Sequence, residues 1–564
     1  MVDFTRQLGN ESGIQLNPLQ DESELAEASN EDQVYAVTGR FLRGPIDRPF
    51  VVTRGNFKRR LGAGEPMRVN ELNETYVQVY ESLQKGAKAV VVQRLADAAS
   101  AKIGWILASV DGTGITFSET DQVDALAGNA VGLGDETTLV GAEAASDYLL
   151  AIKHLECFND GIVVSIHADE NAVDGSLEDN DVLTIRLKDK DGGQLYEFTG
   201  SLNPESVDDY GNTNYLPDVV ATSTDMVEIM IGVTGATAVV ASTSDAYGYG
   251  DSGAQNWVTS DVLKTFTEGG TTYAADDYQR VASKLEQTKL NYGFLASGGS
   301  QNTTLLTALM GVSYQRNVQF RLDIPGNLTP ADAITFFSEL NAYASVTNHL
   351  IHAFWCPVKS LDPSGVNPKG YFGTAALNIA MACQRNSVTN AYGFAAKNYP
   401  VAGSDFPVSR SGMTQVYVPS DRELSQMAKA GINPVVFETY SSGSKCVFRD
   451  SLTASTGNSL KKLIAVADMS AFIDNQVVRY GKEALQKPMA VSISLMKDFL
   501  RDLFEAAENS GWMVPSEDPE MDGKSFSFDI QANANKPYDA LDYTYRIRYD
   551  GTNRQSFVTQ TLTR

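Results

Sequence analysis

The stretch from Thr75 to Leu95, TYVQVYESLQKGAKAVVVQRL, does most to restrict what this chain can fold into. Tyr76, Val79 and Leu83 recur at helical spacing, Gly86 closes the helix, and Ala89–Val92 follows as a continuous apolar run. Upstream, Val34–Thr38 and Phe50–Thr53 read as strands. A strand, a crossover helix and a fully apolar strand in that order require a sheet that is parallel at least in part.

The same rhythm returns after Trp257. Tyr278, Val281 and Leu285 mark a helix, and Tyr292–Leu295 a strand. VQFRLDIPGNLTPADAITFFSELNAYAS predicts a strand, a Pro-Gly turn and a helix packing on Ile334, Phe337, Leu340 and Tyr343, and HLIHAFWCP predicts a further buried strand. In PSDRELSQMAKAGINPVVFE, Ser420 and Glu423 form a capping box, Leu424 and Met427 face inward and Gly431 stops the helix. Two helices, at about 469–485 and 491–509, precede strands with strict alternation. The first carries Phe526, Phe528 and Ile530, the second Tyr543, Tyr545, Ile547 and then Tyr549.

Two regions break the pattern. Residues 2–33 are polar with sparse apolar positions at Val2, Phe4, Leu8, Ile14 and Leu16, too few to offset the entropy of ordering an isolated fold. The i, i+2 spacing of Ile14 and Leu16 suits one face of a strand laid on a partner. Residues 96–256 are rich in Ala, Gly, Ser, Thr and Asp, and DVLTIRLKDKDGGQLYEFTG is a hairpin turning at Asp191-Gly192-Gly193. The expected class is therefore mixed α/β and multidomain. Its parts are an arm (1–33), a first core segment (34–95), an inserted β-rich domain (96–256), an α/β middle domain (257–460), a C-terminal α+β domain (461–551) and a β-like C-terminal arm (552–564) with Phe557 and Val558.

Chemistry is scarce in this sequence. Seventy acidic against 45 basic residues give a net charge of −25, a surface that repels nucleic-acid phosphates. No apolar run reaches membrane-spanning length and no signal peptide opens the chain, so folding in a cytoplasm is expected. Cys157, Cys356, Cys383 and Cys446 are widely spaced and read as buried free thiols, with no zinc ribbon or disulfide framework. There is no GxxxxGK[ST]. The one GxGxxG, Gly248–Gly253, carries Asp251 inside the loop, where a pyrophosphate would be repelled. Asp189–Gly193 resembles the start of a calcium loop, but Gly200 stands where a bidentate glutamate is needed, so a hairpin turn is the better reading. His349 and His352 lie in a strand-like run whose i, i+3 spacing points them to opposite faces. Arg40, Arg43 and Arg48 flank a Gly-Pro turn, but Pro45 and Pro49 remove backbone donors that a phosphate nest would use, which leaves ion-pair or interface roles. No catalytic, cofactor or metal residue is assigned.

Four blocks, in order, carry a resemblance. They are the GxxxRGPxxxPxxVT segment from Gly39 with NFKRRLG and the TYVQVYES helix; FTEGGTTYAADDYQRVASKLEQ (266–287); RLDIPGNLTPADAI (321–334); and PSDRELSQMAKAGINPVVF (419–437). Together they resemble contractile tail sheath proteins, the outer tube of myophage tails and related injection machines. The Asp-Gly frequent after the family's glycine pair is missing, and the block before Gly365 departs from the usual pattern. The resemblance implies a subtilisin-like middle domain, here without an assignable Asp, His and Ser triad and hence without protease activity. It implies self-assembly as stacked rings of six around a tail tube protein, with baseplate and terminator proteins at the ends. Terminal arms would exchange strands with neighbours, and the aromatic strands named above would supply the receiving sheet. Contraction would drive the tube through a host envelope for genome delivery, and the location would be a virion tail assembled in the host cytoplasm. Alternatives are a phage-derived bacteriocin or injection sheath, another shell component, or, from a different class, an α/β hydrolase around His352 and Cys356.

Overall fold

The computed structural model describes residues 31–110, 115–126, 148–168, 182–207, 210–231, 257–341 and 348–560. At its centre lies one eight-stranded sheet. Its strands are β1 (Val34–Gly39), β2 (Phe50–Thr53), β3 (Ala89–Arg94), β4 (Phe294–Ala296), β5 (Gln319–Ile324), β6 (Ile351–Trp355), β7 (Ile432–Tyr440) and β8 (Gly443–Phe448). Their spatial order is β2-β3-β1-β4-β5-β6-β7-β8; the six inner strands run parallel, and β2 and β8 pair antiparallel at the edges. The segments 34–95 and 257–460, set apart in the sequence by the insertion, therefore build a single sheet.

Alternate residues of each strand enter opposite cores. Tyr35, Val37, Val90, Val92, Phe294 and Phe354 pack with helices α1 (Glu74–Lys85) and, farther along the chain, Ala375–Asn386. Ala36, Val91, Leu295, Phe320, Ile351 and Trp355 face α2 (Ala275–Gln287), α3 (Thr303–Arg316) and α4 (Pro330–Asn341). With α5 as Ala375–Asn386 and α6 as Asp421–Lys429, the result is helices on both faces of a mostly parallel sheet. The expected capping box forms: Ser420 Oγ accepts from Glu423 N, and Glu423 Oε2 accepts from Ser420 N. Tyr343, expected on the α4 face, lies outside the described residues.

Among its described residues the insertion is mostly β, with one helix, Leu216–Ser223, in addition to its strands. Two four-stranded sheets share a core of Ile106, Ile152, Val164, Ile185, Phe198 and Val227. Strand pairing carries this module past the boundary expected at 256: Val258–Thr259 pairs with Ile162–Ala168, and Phe266–Thr267 with Lys102–Ile103. Both are two-residue strands, too short to show in periodicity. Beyond the sheet, α7 (Ile464–Ala484) and α8 (Met489–Asn509) pack with the hairpin β9 (Phe526–Ala532) and β10 (Leu541–Ile547). Among the described residues no helix is long and apolar enough to cross a membrane.

Candidate functional site

Of the three arginines flanking the Gly-Pro turn, Arg40 and Arg43 are buried in a joint between core and insertion, and Arg48 is part-exposed at its rim. Arg40 pairs with Glu268 at 2.7 Å and Glu65 at 3.2 Å, and Arg94, fully buried at the end of β3, holds the other Glu268 oxygen at 2.8 Å. Arg43 grips Asp160 at 2.8 Å and Asp189 at 3.2 Å, with its guanidinium over the Phe158 ring. Arg48 pairs with Asp225 and with Asp47. Alongside, Arg60 meets Glu156 at 2.5 Å, and His154 Nε2 lies 3.2 Å from the other Glu156 oxygen. Burial opposes ionisation of Glu156, but the His154 hydrogen bond and charge and Arg60 hold its carboxyl down at about 2. The expectation of ion-pair roles is met, and every acid named here except Glu65 and Asp47 lies beyond residue 150. These guanidiniums are committed to carboxylates and do not form an anion site.

Asp189 shows why DKDGG is a turn. Its Oδ1 accepts from Asp191 N at 3.0 Å and Gly193 N at 2.7 Å, closing the hairpin, while Oδ2 faces Arg43. The Gly248–Gly253 motif lies outside the described residues.

The histidine geometry differs from expectation. His349 sits in a 3-10 turn, Asn348–Leu350, and not on the strand with His352, so opposite strand faces do not describe the pair. His352 is wholly buried and its Nε2 lies 3.2 Å from the His349 carbonyl. Burial, and then the charge of Arg321, push its pKa down to about 3, leaving a neutral ring. Burial raises the Cys356 thiol to about 11. An imidazole held near 3 is too weak a base to take the proton of a thiol held near 11. All four cysteines are free and buried, as expected.

The residues expected to serve assembly fall into three groups. Val2, Phe4, Leu8, Ile14 and Leu16 lie outside the described residues. Where the described chain begins, Asp32 pairs with Lys397 at 2.7 Å and Glu31 with Arg479, so residues 31–33 are fastened to the core immediately before β1. In the C-terminal hairpin, Phe526 faces Ile547, Phe528 faces Tyr545 and Ile530 faces Tyr543. That face is turned inward: Phe504 of α8 lies 5.3 Å from Phe526, 5.9 Å from Phe528 and 5.5 Å from Tyr545, ring centre to ring centre. Ile530 and Tyr549 are buried in the same cluster, and Tyr545 Oη donates to Asp474. Among the described residues the sheet has only these two strands, and just past β10 the chain bridges to Met513 and Val514, where Val514 N donates to the Arg548 carbonyl. Beyond it, residues 551–560 form neither helix nor strand; Arg554 ties them to Asp450 at 2.6 Å, while Phe557 and Val558 are 93% and 92% exposed.

No protein-family model matches this chain, and no curated protein matches it. Among solved structures, the chain is similar to one in the anti-feeding prophage (AFP) baseplate, 6-fold symmetrised, at 10% identity and TM-score 0.36, over 54% of this chain and 77% of that one. It is also similar to one in the sheath complex of an extracellular contractile injection system, PVC, in the contracted state, at 12% identity and TM-score 0.37, over 50% of this chain and 74% of that one.

Proposed function

We propose that the chain is the structural subunit of a contractile tail sheath. It polymerises as stacked hexameric rings around a tail tube through strand-exchanging terminal arms, and it contracts to drive that tube through a host envelope. The observation that carries this reading is the hairpin β9–β10, whose apolar face is buried on α8 and which no third strand joins among the described residues, beside a C-terminal tail with bare Phe557 and Val558. A strand added to a sheet edge gains main-chain hydrogen bonds without disturbing the packed face. The four ordered sequence blocks give the family; the arm before Glu31 gives a second tether. Contacts of this kind, passed from copy to copy without closing, build an open helix.

The reading carries a subtilisin-like middle domain, a virion location with assembly in the host cytoplasm, and baseplate and terminator proteins at the two ends. A phage tail is preferred over a bacteriocin-type sheath because the large insertion and single chain suit it better than a split two-protein sheath. Deleting residues 552–564 is expected to leave a folded monomer while removing high-mass species in sedimentation velocity. Undiminished polymer in that variant would contradict strand exchange by the C-terminal arm.

A further inference from the structure

A cavity of about 460 Å³ opens where the central parallel strands end, lined by Gly299 after β4, Asp323 on β5 and Cys356 after β6. In open α/β sheets the crevice outside the carboxyl ends of the strands, near the reversal of strand order, is where ligands bind. Here the order reverses between β1 and β4.

The floor holds two carboxylates. Gln78 Nε2 donates to Glu74 Oε1 and to Asp323 Oδ2, at 2.9 Å each. Glu74 Oε1 also accepts from Gly373 N at 2.6 Å, and Asp323 Oδ1 from Thr374 N and Ala375 N at 2.6 and 2.8 Å at the start of α5. The two donors to Glu74, Gln78 Nε2 and Gly373 N, both meet its Oε1. Its Oε2 receives none among the described residues, although the residue is 6% exposed and lines the cavity. Gly299, at φ +81°, keeps that oxygen clear, for a Cβ there would stand 2.7 Å from it.

Counter-charge is short. The adjoining cation, Arg410, is bound bidentate to Glu81 at 2.8 and 2.6 Å, and its other N–H groups go to the Phe372 and Gly373 carbonyls. Glu74, Asp323 and Glu81 thus share one guanidinium. Arg68 and Lys369 line the mouth, where Lys369 Nζ donates to Thr414. The walls, with Val366, Tyr371 and Phe372, suit an alkyl stem. One free carboxylate oxygen is too few for a hard divalent cation, which takes six or more oxygen ligands.

We propose that this cavity binds a guanidinium or ammonium group on an alkyl stem, with Glu74 and Asp323 as its counter-charge. Burial, followed by the charge of Asp323, raises Glu74 to about 8, so the empty site carries a proton at neutral pH. Binding then breaks the Glu74 O–H bond: the proton passes to buffer and the carboxylate pairs with the cation. The Cys356 thiol, itself raised to about 11, stays neutral throughout.

The test is calorimetric titration of the full-length protein with agmatine at pH 7, in two buffers of different ionisation enthalpy. Saturable binding with release of up to about one proton per site is expected, with a loss of roughly tenfold or more for the neutral urea analogue of agmatine and for Glu74→Gln. No saturable heat, equal affinity for the neutral analogue, or binding without proton release would overturn the proposal. If Glu74→Gln does not fold, the comparison of the two ligands on the unaltered protein decides alone. Repeating the titration on assembled protein separates the sources of the cation. Exclusion of agmatine there assigns the pocket to an Arg or Lys of a second copy, and undiminished binding assigns it to a free small molecule. Neither ligand comparison depends on whether the chain forms tubes.

Discussion

Glu268 shows how much of this fold turns on single residues. One carboxylate serves two guanidiniums, Arg40 and Arg94, and also accepts from Asn159 at 3.1 Å. Removing its charge leaves the buried Arg94 without its carboxylate and Arg40 with Glu65 alone, a class of change that costs about 3–5 kcal/mol. Glu268→Gln is therefore expected to lower the unfolding free energy by that amount in urea, whereas a loss below about 1 kcal/mol would show that solvent reaches the joint. Glu156 gives a pH signature. Its folded pKa of about 2 lies below the 4.5 of an unperturbed glutamate, so its stabilisation is complete above 4.5 and is lost as pH falls toward 2. Unfolding curves of the unaltered protein and Glu156→Gln are expected to converge across that window, and parallel curves would contradict the pairing. In the sequence, the arginines were visible as ion-pair candidates. Their partners were not, because Arg40 and Glu268 stand 228 residues apart and nothing local links them. The same distance problem hid the cavity floor, where Gln78 and Asp323 are 245 residues apart.

Elements with a local signal were legible in the sequence, and those defined by packing were not. Helix α6 announces itself through Ser420 and Glu423, and Ser420→Ala is expected to cost about 1 kcal/mol in thermal or urea unfolding. Helix α7 starts at Ile464, earlier than the expected 469, because its first turn is apolar and its N-cap, Leu463, offers no side-chain cap. Burial of Ile464 to Met469 sets that end, which no capping residue marks. The aromatic alternation of β9 and β10 was plain, and it marks the face packed on α8. Phe504 is the hub of that packing, so Phe504→Ala is expected to cost about 3–5 kcal/mol and to speed amide exchange in the hairpin. Unchanged exchange there would mean that the hairpin is held by other contacts.

At the scale of the whole molecule, alternating β and α patterns were enough to announce a parallel sheet. That 34–95 and 257–460 form one sheet rests on the pairing of β1 with β4, more than 250 residues apart, which no periodicity reveals. The net charge of −25 bears directly on the proposed assembly, in which copies that repel one another would be brought together by arms and edges. Salt screens such repulsion over about 10 Å at 0.1 M, so raising NaCl from 20 to 200 mM, both about these values, is expected to favour polymer in light scattering. Weaker assembly at the higher salt would show that surface ion pairs between copies outweigh the repulsion. The most direct test is negative-stain electron microscopy of the purified full chain beside a variant lacking residues 1–30, which keeps the Glu31 and Asp32 ion pairs to the core. Long hollow tubes from the full chain, shortened or lost in the variant, are expected of an arm-linked sheath. Monodisperse single particles from both would contradict it.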